Sequence, residues 1–221
     1  MTKRKHILIG LVVVVLIGIG GFFTAKALVT DSVFDDDVLA LGLQSDGQSI
    51  IGGRFTKKLV RVDLDGDVDE TFSKTWTVAG FNDDILTLAV GHEDEIVIGG
   101  EFTNFNMSLV GYIARVHKDG SLDTEFARKI GTGFDDVVRF VSIKSDGKIL
   151  CVGSFLSFNG TRVNHIARLN PDGTLDNSFK PEGGFDAPAS SVLGLKSGKA
   201  AAGGEFKSYQ SVSQPYFAII E

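Results

Sequence analysis

Carboxylates gather at one recurring place in this sequence. Asp35, Asp36 and Asp37 follow Phe34, Asp83 and Asp84 come just after Phe81, Asp135 and Asp136 follow Phe134, and Asp186 follows Phe185. Calcium takes six to eight hard oxygen ligands, and repeated carboxylates around one rim could supply them. The candidate rim is Asp36, Asp84, Asp136 and Asp186, with Ca²⁺ as its ion. The competing reading needs no ion, because Asp and Asn at strand starts accept hydrogen bonds from nearby backbone N–H groups.

Other chemistry is sparse. The acidic stretch Asp63-Leu64-Asp65-Gly66-Asp67-Val68-Asp69-Glu70 lacks the Gly and Glu spacing of an EF-hand loop, so it is expected to be an acidic turn. His6, His92, His117 and His165 form no pair at metal-ligand spacing and are expected at the surface. Cys151 is the only cysteine, so no intrachain disulfide can form. Its apolar setting, Ile149-Leu150-Cys151-Val152, points to a buried thiol. There is no G-x-S-x-G elbow, and Gly131-Thr132-Gly133 has no helix pattern after it to cradle a phosphate. The sequence therefore offers no catalytic set and no cofactor, calcium apart, and the chain is expected not to be an enzyme. The aromatic residues Trp76, Phe105 and Phe158 sit in connections and could form a partner surface. Trp76 could equally cap a core. Asn106-Met107-Ser108 and Asn159-Gly160-Thr161 match the glycosylation sequon but are expected to be loop residues.

The elements that must position these residues come from a repeat. The units run over residues 33–72, 80–126, 133–179 and 184–221. Their opening residues Phe34, Phe81, Phe134 and Phe185 are spaced by 47, 53 and 51, and so are Phe55, Phe102, Phe155 and Phe206. A period of about 50 residues indicates stacked supersecondary units. In the third unit Val137 to Lys144 and Lys148 to Phe155 are strand candidates joined by Ser145-Asp146-Gly147, a hairpin turn. Asn164 to Asn170 is a third strand and Leu175 to Phe179 a short fourth. No helical period shows inside a repeat. Three to four antiparallel strands per repeat, four times over, is the pattern of an all-β propeller of about four blades. The pairs Gly52-Gly53, Gly99-Gly100 and Gly203-Gly204, with Gly153, fall late in the second strand, where Gly marks a bulge or a close approach of blades.

The segments SDGKILCVGSF, IARLNPDGTLDNSF and GTGFDD resemble the delta-60 repeat family of bacterial β-propellers. The resemblance covers roughly residues 34–221. It implies a propeller fold and brings no catalytic residues. The first repeat departs from the pattern by lacking about seven residues between Phe55 and Arg61. The fourth departs by lacking the DG-x-LD-xx-F tail. Its last blade would then have an open edge, and open edges recruit strands. Residues 28–33, a second copy or further repeats of a longer array could cover it.

The first 27 residues differ from the rest. Lys3, Arg4 and Lys5 precede an uncharged run from Ile7 to Phe23. Ala25-Lys26-Ala27 fits signal-peptide cleavage, whereas the length of the run favours an uncleaved membrane anchor, a hydrophobic helix. Either way the repeats are exported, beyond a short tether at 28–33. Residues 1–27 hold four of the 22 basic residues and none of the 28 acidic ones, so the remainder carries 18 against 28, a net charge of −10. That field repels a phosphate backbone and excludes nucleic acid as a partner. The expected function is a binding or scaffolding module at the cell surface, with a protein or glycan partner and homo-oligomerisation through the last blade. The alternatives are a cation-dependent hydrolase and a structural module of a surface or virion assembly.

Overall fold

The computed structural model describes residues 33–72, 74, 76, 80–179, 183–195 and 197–220. The expected signal peptide or membrane anchor at 1–27, and all of the tether but Val33, lie outside the described residues. Among them, no helix is long and apolar enough to cross a membrane.

The chain forms one three-stranded antiparallel sheet per repeat. The first sheet holds β1 (Val38–Leu43), β2 (Ser49–Gly53) and β3 (Leu59–Val62). The second holds β4 (Ile85–Val90), β5 (Ile96–Gly100) and β8 (Ile113–Val116), with the small hairpin β6 (Asn104–Phe105) and β7 (Ser108–Leu109) inserted before β8. Helix α1 (Thr124–Ile130) leads to the third sheet, β9 (Val138–Ile143), β10 (Ile149–Gly153) and β13 (Ile166–Leu169), with hairpin β11 (Ser157–Phe158) and β12 (Thr161–Arg162). The fourth has β14 (Ala189–Gly194), β15 (Ala200–Gly204) and β18 (Phe217–Ile220), with hairpin β16 (Ser208–Tyr209) and β17 (Val212–Ser213). The seven residues missing from the first repeat are its small hairpin.

The first strands β1, β4, β9 and β14 pack side by side in sequence order, which arranges the sheets as an arc with propeller-like geometry. No comparable packing joins β14 back to β1. The core lies between sheets. One cluster joins Ile50, Leu59 and Phe72 to Ile85, Leu88 and Ile98, a second joins Val97, Ile113 and Phe126 to Val138, Val141 and Leu169, and a third joins Leu150, Val152 and Ile166 to Ala189, Val192 and Ile220. Each large apolar side chain buried there contributes about 1.5–3 kcal/mol.

The paired glycines do two different things. A Cβ on Gly53, Gly100 or Gly153 would lie 2.2, 2.1 or 2.1 Å from the carbonyl oxygen of Asp37, Asp84 or Val137, just before the first strand of the same sheet. A register shift marks this place in every sheet. A Cβ on Gly52 or Gly99 would instead meet Ile85 or Val138 of the next sheet at 2.6 Å. Bulge and sheet-to-sheet approach are thus both present.

Two expectations need correction. The fourth strand does not form: Leu175, like Val68 and Leu122, makes only an isolated bridge to the third strand. The segment after that bridge is a turn or, in the second repeat, α1. The reason is the Asp that follows. Asp123 accepts the Phe126 N–H at 2.9 Å and caps α1, whose Phe126 and Ile130 face the core. Asp69 and Asp176 accept the N–H two residues on, from Thr71 and Ser178. A side chain that captures backbone donors this way draws them from a ladder. His165 is also not at the surface. It is buried, with Nδ1 3.1 Å from the Gly153 carbonyl oxygen, whereas His92 and His117 are exposed.

Candidate functional site

The residue directly after each opening aromatic is a staple. Asp35 accepts the Thr56 N–H at 2.7 Å. Asn82 accepts from Thr103 and Asn104 at 2.9 and 2.8 Å, Asp135 from Leu156 and Ser157 at 2.9 Å each, and Asp186 from Lys207 and Ser208 at 2.8 and 2.9 Å. Hydrogen bonds from Thr56 hold Asp35 below the usual carboxylate range, and the Ser208 and Lys207 N–H groups do the same for Asp186. Burial pushes Asp135 up, but the Ser157 and Leu156 N–H groups outweigh it and leave it lowered.

The equivalent ring is therefore Asp35, Asn82, Asp135 and Asp186. The rim Asp36, Asp84, Asp136 and Asp186 mixes three registers. Asp36 and Asp136 each accept the N–H of the next residue at 2.7 Å. Asp84 binds Lys58 at 2.6 Å and Arg54 at 3.2 Å, both from the first repeat. Among the described residues, one acidic group brings three ligand oxygens within 4.8 Å of one another, Asp83, Asp84 and Glu101. It includes Asp84 but none of the other three rim candidates, and Asp84 already neutralises two cations.

The staples hold up the small hairpins. Under each hairpin lies a three-ring cluster. Phe81 packs on Phe102 and Phe105 at 4.5 and 4.8 Å between centroids, Phe134 on Phe155 and Phe158 at 4.1 and 4.8 Å, and Phe185 on Phe206 and Tyr209 at 4.1 and 5.1 Å. Phe105 and Phe158 are accordingly buried, and their rings are unavailable to a partner. They lie on the inward face of the hairpin, opposite an opening Phe. Trp76 is half-buried. Its Nε1 donates to the Gly120 carbonyl at 2.9 Å, and its ring packs edge-on against Phe72 and Phe105. It caps the first core cluster.

What the hairpins expose is their tips. Asn106-Met107, Asn159-Gly160 and Gln210-Ser211 all have positive φ at both central positions, the geometry of a two-residue type I′ turn. Met107, at φ 70°, is 81% exposed. Leu109 and Val212 are exposed beside the tips. Equivalent positions in successive sheets put these tips on one side of the arc, an exposed surface of mixed apolar and polar chemistry.

One recurrent constellation has no counterpart among the sequence candidates. Arg61, Arg115 and Arg168, from the third strands, bind Asp69, Asp123 and Asp176 at 2.6, 2.7 and 2.7 Å. Their guanidinium groups stand over Phe72, Phe126 and Phe179 at 5.0, 4.5 and 4.7 Å. Arg61 also donates to the Lys118 carbonyl at 2.7 Å and Arg115 to the Pro171 carbonyl, each in the following repeat. The signal was an Arg eight residues before the Asp in three repeats. Thr71 and Arg61 hold Asp69 down to about 2. Asp94 is a second bridge: it accepts from Lys118 and Ser45 at 2.7 and 2.6 Å and is held down to about 2. It stands at φ 61°, where the other repeats have Gly47, Gly147 and Gly198. These constellations are structural latches.

Residues 44–72, 94–126 and 144–179 match the model of a family described as a domain of unknown function (DUF5122) beta-propeller. Each matched segment contains one Arg–Asp–Phe latch. Among curated proteins, none matches the sequence. Among solved structures, the chain is similar to the extracellular domain of the putative hybrid two component system BT3049 from B. thetaiotaomicron, with TM-score 0.50 and 10% identity over 91% of this chain and 23% of that one. It is similar to the WD40 beta propeller domain of Doa1, with TM-score 0.49 and 11% identity over 76% of this chain and 48% of that one. It is also similar to a streptogramin B lyase, with TM-score 0.44 and 15% identity over 79% of this chain and 49% of that one. The chain spans about half the length of the last two and less than a quarter of the first. The likeness is one of fold: an all-β, propeller-like protein.

Proposed function

We propose that the chain is an exported β-propeller module of four blades, of the delta-60 repeat type, that binds a protein or glycan at the cell surface through its hairpin rim. The observation that carries this reading is the rim itself. Three hairpins are stapled and ring-packed from below, and present Met107, Leu109 and Val212 to solvent. A rigid scaffold that displays adaptable side chains on loops is the usual form of a binding surface. Export rests on Lys3, Arg4 and Lys5 followed by the apolar run Ile7 to Phe23, which on this reading also anchors the chain in the membrane.

Site-specific photo-crosslinking in the producing cell tests the reading. A crosslinking side chain at Met107, Leu109 or Val212 should give a discrete adduct with a surface protein or glycan, and one at exposed Leu64 should not. Absence of any adduct at all three tips would sink the proposal. The second reading, a cation-dependent hydrolase, would have to use Asp83, Asp84 and Glu101. It requires a thermal shift on adding Ca²⁺ that Asp83→Asn abolishes.

A further inference from the structure

The two ends of the arc present, exposed, the positions that its interior buries. Ile85, Val138 and Ala189 open the first strands of the second, third and fourth sheets and are fully buried. Val38, the same position in the first sheet, is 43% exposed. Three residues along, Leu88, Val141 and Val192 are at most 9% exposed, but Leu41 is 53%. At the other end the pattern repeats on the third strand. Leu59, Ile113 and Ile166 are at most 1% exposed, and Phe217 is 59%. Leu193 is 62% exposed. Among the described residues, no sheet packs on the head face of β1 and none on the tail face of β15 and β18.

The tail is shaped to receive a sheet. Gly52 carries Ile85 of the next sheet, and Gly99 carries Val138. Gly203 stands at the equivalent place, and the atoms nearest a Cβ there belong only to its own sheet, the Ser191 Oγ at 3.3 Å and the Tyr216 carbonyl at 3.7 Å. Beside it an open apolar groove of about 500 Å³ runs from Leu193, Ala201, Gly203 and Phe217 of the fourth sheet to Phe140 of the third and Ala89 of the second. The volume of this layer is kept by a swap. The cross-strand pairs Gly42 with Ile50, Ala89 with Val97 and Ser142 with Leu150 put the larger residue on the second strand, and Leu193 with Ala201 puts it on the first. One small and one large residue face the junction every time.

We propose that the tail of the arc packs on the head of a second copy, and its head on that copy's tail, so that two chains close a ring of eight sheets. The template for the contact is inside the chain: three junctions of this kind already join its sheets, and the two unmated faces are the two halves of a fourth. Val38 of one copy takes the place over Gly203 that Ile85 takes over Gly52, and Leu41 enters the groove beside Phe217. Head-to-tail contacts of this type close into rings when the rotation allows. Propellers run to about eight blades, which two copies of four supply. The inference goes beyond the rim reading, because the junction forms whatever the rim binds.

The test uses the full chain in mild detergent. Sedimentation equilibrium should give twice the protein mass. Leu41→Glu and Phe217→Glu should each give a monomer with an unchanged circular dichroism spectrum, because both sites are exposed in the single chain and a charge buried at the junction is unpaired. Mixing Leu41→Cys with Phe217→Cys and adding a short bismaleimide should give a crosslinked pair, which neither variant forms alone. Cys151 is fully buried and will not compete. A wild-type monomer overturns the proposal. So does a crosslink within one chain of the double variant, which would mean that the arc closes on itself. Open-ended oligomers, or a dimer that survives both Glu variants, would also overturn it.

Discussion

At the scale of single residues, the polar groups that looked able to do chemistry are mostly occupied in holding backbone. Asp135 takes two N–H groups and the Ser157 hydroxyl. Asp135→Ala should therefore lower stability by about 1–2 kcal/mol, as loss of a helix cap does, measured by urea unfolding. His165 makes a pH prediction. Burial holds its pKa below the usual 6.5. Below that value the unfolded chain takes up a proton that the folded one refuses, so stability is full above pH 6.5 and declines as pH falls beneath it. Tyr112 and Tyr216 stand at the same positive-φ position as His165 in their repeats. His165→Tyr should flatten the dependence of melting temperature on pH below 6.5. An unaltered slope would show that another group titrates. Met107 sits in a left-handed turn position that costs a non-glycine residue about 1 kcal/mol or more. Met107→Gly should leave the melting temperature unchanged or raised while weakening the crosslink formed from Leu109.

At the scale of elements, the bulge and the latch decide how each sheet is built and joined. Gly100→Ala would drive a methyl group into the Asp84 carbonyl, 2.1 Å away, at the shift between β4 and β5. It should cost about 1–3 kcal/mol or more. Gly160→Ala meets no atom within 4 Å and should cost only the strain of its φ of 77°, about 1 kcal/mol. The two variants, compared by thermal melts, separate close approach from backbone conformation. Arg115 joins β8, α1 and the third repeat through Asp123, Phe126 and Pro171. Arg115→Ala should destabilise by about 2–3 kcal/mol, and Arg115→Lys should recover only part of that, since one ammonium cannot serve a carboxylate, a ring face and a carbonyl together.

At the scale of the molecule, the latches and staples share one sign of electrostatics. The carboxyls of Asp35, Asp69, Asp94, Asp123, Asp135, Asp176 and Asp186 are all held below their ordinary value of 3.8. At Asp176, burial pushes upward and is outweighed by Lys148, Ser178 and Arg168. Groups with lowered folded pKa values contribute fully above the unfolded pKa, and that contribution is lost as pH falls through the folded values. Stability should therefore fall steadily as pH drops below about 4 and go on falling through pH 2. A melting temperature unchanged between pH 5 and pH 2 would contradict this. Because the core is divided into sheet-to-sheet clusters, one truncation should weaken the whole arc. Ile98→Ala, in the first cluster, should cost about 2–5 kcal/mol.

Much of this protein was legible from local pattern. The 47–53-residue period, the hairpin turns, the buried thiol of Cys151 and the placement of the paired glycines follow from the sequence, because a strand, a turn or a bulge answers to residues only a few positions away. The fourth strand suggested by the apolar pattern does not form, because the Asp that follows the bridge directs its oxygens to nearby N–H groups, which an apolar pattern does not record. What only the tertiary structure decided lies at repeat-length distances. Phe105 and Phe158 turned inward because an opening Phe stands across from each, while the hairpin tips beside them stayed in solvent. The Arg latches reach the following repeat, and the carboxylates fell into different registers that composition cannot distinguish. Val38 and Ile85 are nearly the same residue in the same strand position, yet one is exposed and the other buried. The difference is whether a neighbouring sheet exists to cover it, and that depends on how the sheets are arranged in space.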